Sequence, residues 1–78
     1  MNKFKKIISR ALKISPAKIT DKTSPLNVAS WDSFRGLILV TEIEKAYKTK
    51  FSMEEILSIR DIGRIKKILL THNIDIDE

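Results

Sequence analysis

No cysteine occurs in this 78-residue sequence, so a disulfide framework, a thiolate zinc site and an intrinsic thiol nucleophile are all excluded. Glycine and proline, two of each, are too scarce for a fibrous or low-complexity chain. Long apolar runs are also missing: the longest aliphatic stretch, Leu37-Ile38-Leu39-Val40, is far below the roughly 18 residues of a membrane span. No stable membrane insertion is therefore expected. What is present, 42% hydrophobic residues in a short chain, predicts one small domain over residues 1–78 with a modest core.

The net charge of +5 is unevenly spread. Residues 1–22 hold seven basic side chains against a single acid, Asp21, whereas residues 31–60 are balanced and Asp75, Asp77 and Glu78 close the chain. A basic segment permits contact with nucleic acid, an acidic membrane or an acidic protein. Here the lysines fill the polar positions of an amphipathic pattern, which reads as a solvated helix face. The segment lacks the apolar core of a secretory signal and reads as the first helix of the domain.

Phe4, Ile7, Ile8, Ala11 and Leu12 repeat at the spacing of one helical face, and Ser15-Pro16 should end that helix. Residues 16–31 carry turn-forming types with scattered apolar ones, predicting a long connection with one helical turn. A second helix is expected over Ser33–Lys48, its buried stripe supplied by Phe34, Leu37, Val40 or Leu39, Ile43 and Tyr47, with Asp32 as N-cap. Ser52 to Glu55 spells a capping box before a short third helix at Met53–Leu57. Ser58 to Asp61 reads as another, opening a last helix with Ile62, Ile65, Ile68 and Leu69 inward and His72-Asn73 at its end; residues 73–78 are expected to fray. The fold class is all-α: three longer helices, one short one, and a long loop between the first two.

Catalytic constellations are absent from the pattern. The lone histidine, His72, reads as a surface or capping residue. No serine lies in a nucleophile elbow, no glycine-rich phosphate loop occurs, and no metal-ligand cluster is spelled out. No catalytic or metal residue is assigned. The string Trp31-Asp32-Ser33-Phe34 stands out, because it places a hydroxyl where a long polar loop meets an amphipathic helix. A serine at a helix start is usually just a cap, and Ser33 reads locally as one; its position nevertheless suits a covalent phosphate, since helix N-termini favour negative charge. Apolar residues near that end (Phe34, Leu37, Met53, Ile56, Leu57) read as ordinary core, with an opening for an acyl chain as the other reading.

The order of these elements resembles the acyl carrier proteins. The likeness rests on Asp32-Ser33-Phe34 opening the second helix, on Leu37 through Glu42-Ile43-Glu44 to Tyr47, and on Ser58-Ile59-Arg60-Asp61-Ile62 before the last helix. The Trp-Asp-Ser variant, with Phe51-Ser52-Met53-Glu54-Glu55-Ile56, looks most like free-standing carriers of dedicated biosynthetic pathways. The resemblance implies a non-catalytic, cytoplasmic, monomeric four-helix carrier modified at Ser33 with 4′-phosphopantetheine from coenzyme A. It further implies three kinds of partner: a phosphopantetheinyl transferase, an acyl-loading ligase, and an acyl-receiving transferase or synthase. Asp32 would serve transferase recognition or simply cap the helix. Trp31, Phe34, Arg35, Ile38, Glu42, Met53 and Ile56 would face partners.

The departures from that pattern lie in charge. Arg35, Gly36 and Ile38 stand where carboxylates are common in the family, and Lys45 and Lys48 follow, so a cognate set of enzymes distinct from ordinary fatty-acid enzymes is expected. An aminoacyl, D-alanyl or peptidyl carrier remains open on sequence, as does a carrier-like scaffold left unmodified. A basic nucleic-acid-binding domain is the remaining alternative, although the 16–31 connection is too long for a helix-turn-helix and no nucleic-acid partner is expected.

Overall fold

A computed structural model describes residues 3–76. Four helices form among the described residues: α1 (Lys3–Leu12), α2 (Ser33–Tyr47), α3 (Met53–Leu57) and α4 (Ile62–Thr71), with a 3₁₀ turn at Pro16–Lys18 in the first connection. No strand is present among the described residues.

The five periodic apolar residues of α1 are all buried, and this face packs on α2. Eight side chains are essentially sealed from solvent: Phe4, Ile8, Leu12, Leu39, Ile43, Ile62, Ile65 and Leu69. Each contributes about 1.5–3 kcal/mol of hydrophobic stabilisation.

Helix ends are set by a recurring device. Lys13, Lys48 and Asn73 adopt left-handed backbone (φ 57°, 53° and 63°), and each is followed by an N–H that turns back to a carbonyl five residues earlier: Ile14 to Ser9, Thr49 to Glu44, Ile74 to Leu69. These are Schellman closures, which satisfy carbonyls orphaned at a helix end. α1 therefore stops before Ser15-Pro16, and that pair instead opens the 3₁₀ turn, with Ser15 Oγ accepting from the Ala17 N–H.

The long connection is pinned at several points. Ile19 and Trp31 are buried, and the buried Thr23 hydroxyl donates to the Lys18 carbonyl while accepting from the Thr20 N–H. Its far end is fastened by Ser30, whose hydroxyl donates to the Leu12 carbonyl at the end of α1. The first N–H groups of α4 are satisfied by this loop, Ile62 donating to Thr23 O and Gly63 to Asp21 O. A Cβ on Gly63 would lie 3.2 Å from that Asp21 oxygen, so glycine permits the close approach.

Three expectations change. Asp61, not Ser58, caps α4, its carboxylate accepting from Arg64 N; Ser58 closes α3, donating to the Glu55 carbonyl. Within the tail expected to fray, Ile74 and Ile76 pack against the core, while Asp77 and Glu78 lie outside the described residues. The inward face of α2 runs through Gly36, Leu39, Val40, Ile43 and Tyr47, and Phe34 and Leu37 are exposed. At the first turn of α2 the inward position is glycine, and the Trp31 indole from the preceding loop occupies the space a side chain would fill.

Candidate functional site

The loop-to-α2 junction is built residue by residue from hydrogen bonds of the chain itself. Trp31 is 6% exposed and its N–H donates to Val28 O. Asp32 is extended; its Oδ1 accepts from Arg35 N at 2.8 Å and its carbonyl accepts from Gly36 N at 2.8 Å. The cap expected at Asp32 is thus in place. Ser33 follows as the first helical residue, exposed, its hydroxyl making no hydrogen bond among the described residues.

Beside Ser33 lies an open groove of about 610 Å³. Its walls are Trp31, Gly36 and Leu37 on the α2 side and Ile56, Leu57 and Ile59 on the α3 side, with buried Leu39, Val40 and Ile65 at the floor. Leu57 and Leu37 line the groove uncovered, 78% and 58% exposed, and Met53 and Phe34, in the first turns of α3 and α2, are 69% and 67% exposed. The ordinary-core reading fails for Phe34, Leu37, Met53 and Leu57, which are exposed, and holds for Ile56, which packs against the core. Apolar side chains gathered in this way mark a contact surface. Leu26, 98% exposed in the loop, is a further bare apolar residue that the sequence did not single out, because an isolated leucine after Pro25 carries no periodic signal.

The residues expected to face partners divide into two groups. Phe34, Met53 and Glu42 are exposed and Arg35 is half-buried. Ile38 and Ile56 are partly buried against the core, and Trp31 is buried, its indole packed over Gly36 and lining the groove beside Ser33. Glu44 is diverted inward, its Oε2 accepting from Phe51 N at 2.7 Å. This leaves Glu42 as the exposed acid of α2 against exposed Lys45 and Lys48.

The α3 wall is braced from below. Ser52 and Glu55 form the expected capping box, and the other Glu55 carboxylate oxygen meets His72 Nε2 at 2.9 Å. His72 Nδ1 meets Thr49 Oγ1 at 2.7 Å, and the Phe51 ring packs edge-on against the imidazole. Backbone hydrogen bonding at Ser52, followed by the His72 contact, holds the Glu55 carboxyl below its ordinary value. Of the surface and capping roles expected for His72, the second is met, since it caps the end of α4; it is also half-buried and ties α3 to α4.

Among the described residues no group of three or more potential ligands could hold a metal, and no helix is long and apolar enough to cross a membrane. A family model described as "phosphopantetheine attachment site" matches residues 2–69. Comparison with curated protein sequences gives no match. A solved structure described as a candidate acyl carrier protein from Mycobacterium tuberculosis superposes with a TM-score of 0.77 at 20% identity, covering 88% of this chain and 92% of that one. At that identity the likeness is one of fold.

Proposed function

Because the chain belongs to the phosphopantetheine-attachment family, we propose that it is an acyl carrier whose Ser33 hydroxyl bears the 4′-phosphopantetheine arm. When bound, that group supplies the thiol on which acyl groups are held as thioesters. The observation that carries the choice of Ser33 is its setting: an exposed hydroxyl, without an internal partner, at the start of α2 and on the lip of an apolar groove. In the attachment step Ser33 Oγ forms a bond to phosphorus as the pyrophosphate linkage of coenzyme A breaks. Adenosine bisphosphate leaves, and the hydroxyl proton passes to a base on the transferase.

The neighbouring residues support this role physically. The α2 N-terminus favours the negative charge of a phosphodiester on Ser33. The Asp32 carboxylate caps the helix through Oδ1, and its exposed second oxygen is free to serve transferase recognition. Phe34, Met53 and Leu57 supply apolar contact for the loading ligase and the receiving transferase or synthase. Arg35, Lys45 and Lys48, with Glu44 turned inward, favour enzymes whose docking faces are not basic.

The test is cargo capture in a cytoplasmic host co-expressing a transferase. Chain recovered from it should carry an acyl group that neutral hydroxylamine releases, and the released hydroxamate identifies the acid as acyl or aminoacyl. Chain bearing the arm but never any hydroxylamine-labile adduct, even with a loading ligase supplied, contradicts the carrier reading.

A further inference from the structure

We propose that the Trp31 indole is a hydrogen-bond donor for the prosthetic arm, its Nε1–H holding a phosphodiester oxygen against the first turn of α2. The inference rests on the reading that Ser33 carries that arm.

The first observation is an unspent donor. Trp31 is 6% exposed, yet its Nε1–H makes no hydrogen bond among the described residues. Buried tryptophans usually find a hydrogen-bond partner for this group. The nitrogen is not among the fully enclosed polar atoms, and the ring lines the groove beside Ser33, so the N–H reaches the surface there.

Placement is the second observation. The position a Gly36 Cβ would take lies 3.2 Å from Trp31 Nε1. Residue 36 is three beyond Ser33, and helix neighbours at that spacing stand about 5–6 Å apart at Cβ. The donor therefore sits one helical turn from the modified hydroxyl, on the same side of α2. Gly36 keeps the approach open, because any side chain at 36 would cover the nitrogen.

The chemistry selects the acceptor. An N–H donor calls for oxygen, and the first strong acceptors outward from Ser33 are the phosphodiester oxygens. Their charge makes such a bond shorter and stronger than a neutral one. Trp31 is thus a positioning residue: it aims the arm along the groove between α2 and α3.

Trp31 is the single tryptophan, so one indole cross-peak reports on the site in a ¹H–¹⁵N spectrum. Apo chain is converted with coenzyme A and a promiscuous transferase, and intact mass establishes that conversion is complete. The indole proton should then move downfield, and its exchange with water should slow about tenfold. The ³¹P resonance of the arm should differ between wild type and Trp31→Phe, a variant that keeps a buried ring and whose folding the remaining amide peaks report. Complete conversion with unchanged indole exchange and a ³¹P shift indifferent to Trp31→Phe overturns the inference while leaving Ser33 as the attachment site. A folded chain that gains no mass overturns the Ser33 reading, and this inference with it.

Discussion

His72 and Glu55, 17 residues apart, meet at 2.9 Å and join the last turn of α4 to the capping box of α3. Since α3 supplies one wall of the Ser33 groove, the contact sets how firmly that wall is held. Glu55 is held below its ordinary value of 4.5, so the charged form is favoured in the folded state. The stability it contributes is fully present above the unfolded value of 4.5 and is lost as pH falls through the lower folded value. Urea unfolding as a function of pH checks this. Glu55→Gln should be less stable than wild type near neutrality, and the gap should close as the pH falls from 4.5 through the lower folded value. A gap that stays constant into acid would show that the carboxylate charge plays no part.

Gly36 and Trp31 form a second pair with a measurable coupling. Alanine at an interior helix position gains up to about 1 kcal/mol over glycine. At 36 the added methyl would stand 3.2 Å from the indole nitrogen, tighter than ordinary contact. Gly36→Ala should therefore leave stability unchanged or lower it in wild type. In a Trp31→Phe background, which lacks the five-membered ring, the same substitution should stabilise by about 0.5–1 kcal/mol. Equal effects in the two backgrounds would remove the steric account.

Lys48 pays a conformational cost that glycine would not. Its left-handed backbone closes α2, and its side chain is exposed. L-residues are disfavoured there by about 1–2 kcal/mol, part of which glycine gives back in unfolded-chain entropy. Lys48→Gly should raise stability by about 0.5–1 kcal/mol in chemical unfolding. Destabilisation would mean that the lysine makes a contribution beyond its backbone geometry.

Much of the fold was legible because it rests on local rules. The α1 stripe is a clean helical period, and the Ser52–Glu55 box and the Asp32 cap are short-range hydrogen-bond patterns read directly from residue types. Ser33 stood out from its motif and its place at a loop-to-helix corner. What escaped depends on distant partners. The phase of α2 is set by Trp31 filling the space above Gly36, so Phe34 and Leu37 turn outward although their spacing fits a buried face. Ser58 and Asp61 both look like caps, and the choice falls to Asp61 because the loop carbonyls of Asp21 and Thr23 receive the first N–H groups of α4. His72 became an internal tie only because Thr49 and Glu55 converge on its two ring nitrogens.

The central claim is that one oxygen, Ser33 Oγ, receives the arm. Intact-mass measurement after incubation with coenzyme A and a promiscuous phosphopantetheinyl transferase tests it, with the modified residue located by fragmentation. Wild type should gain a single phosphopantetheinyl group at Ser33, and Ser33→Ala, folded by its amide spectrum, should gain none. A folded wild-type chain that stays at its apo mass, or a Ser33→Ala chain that is still modified, would contradict the account.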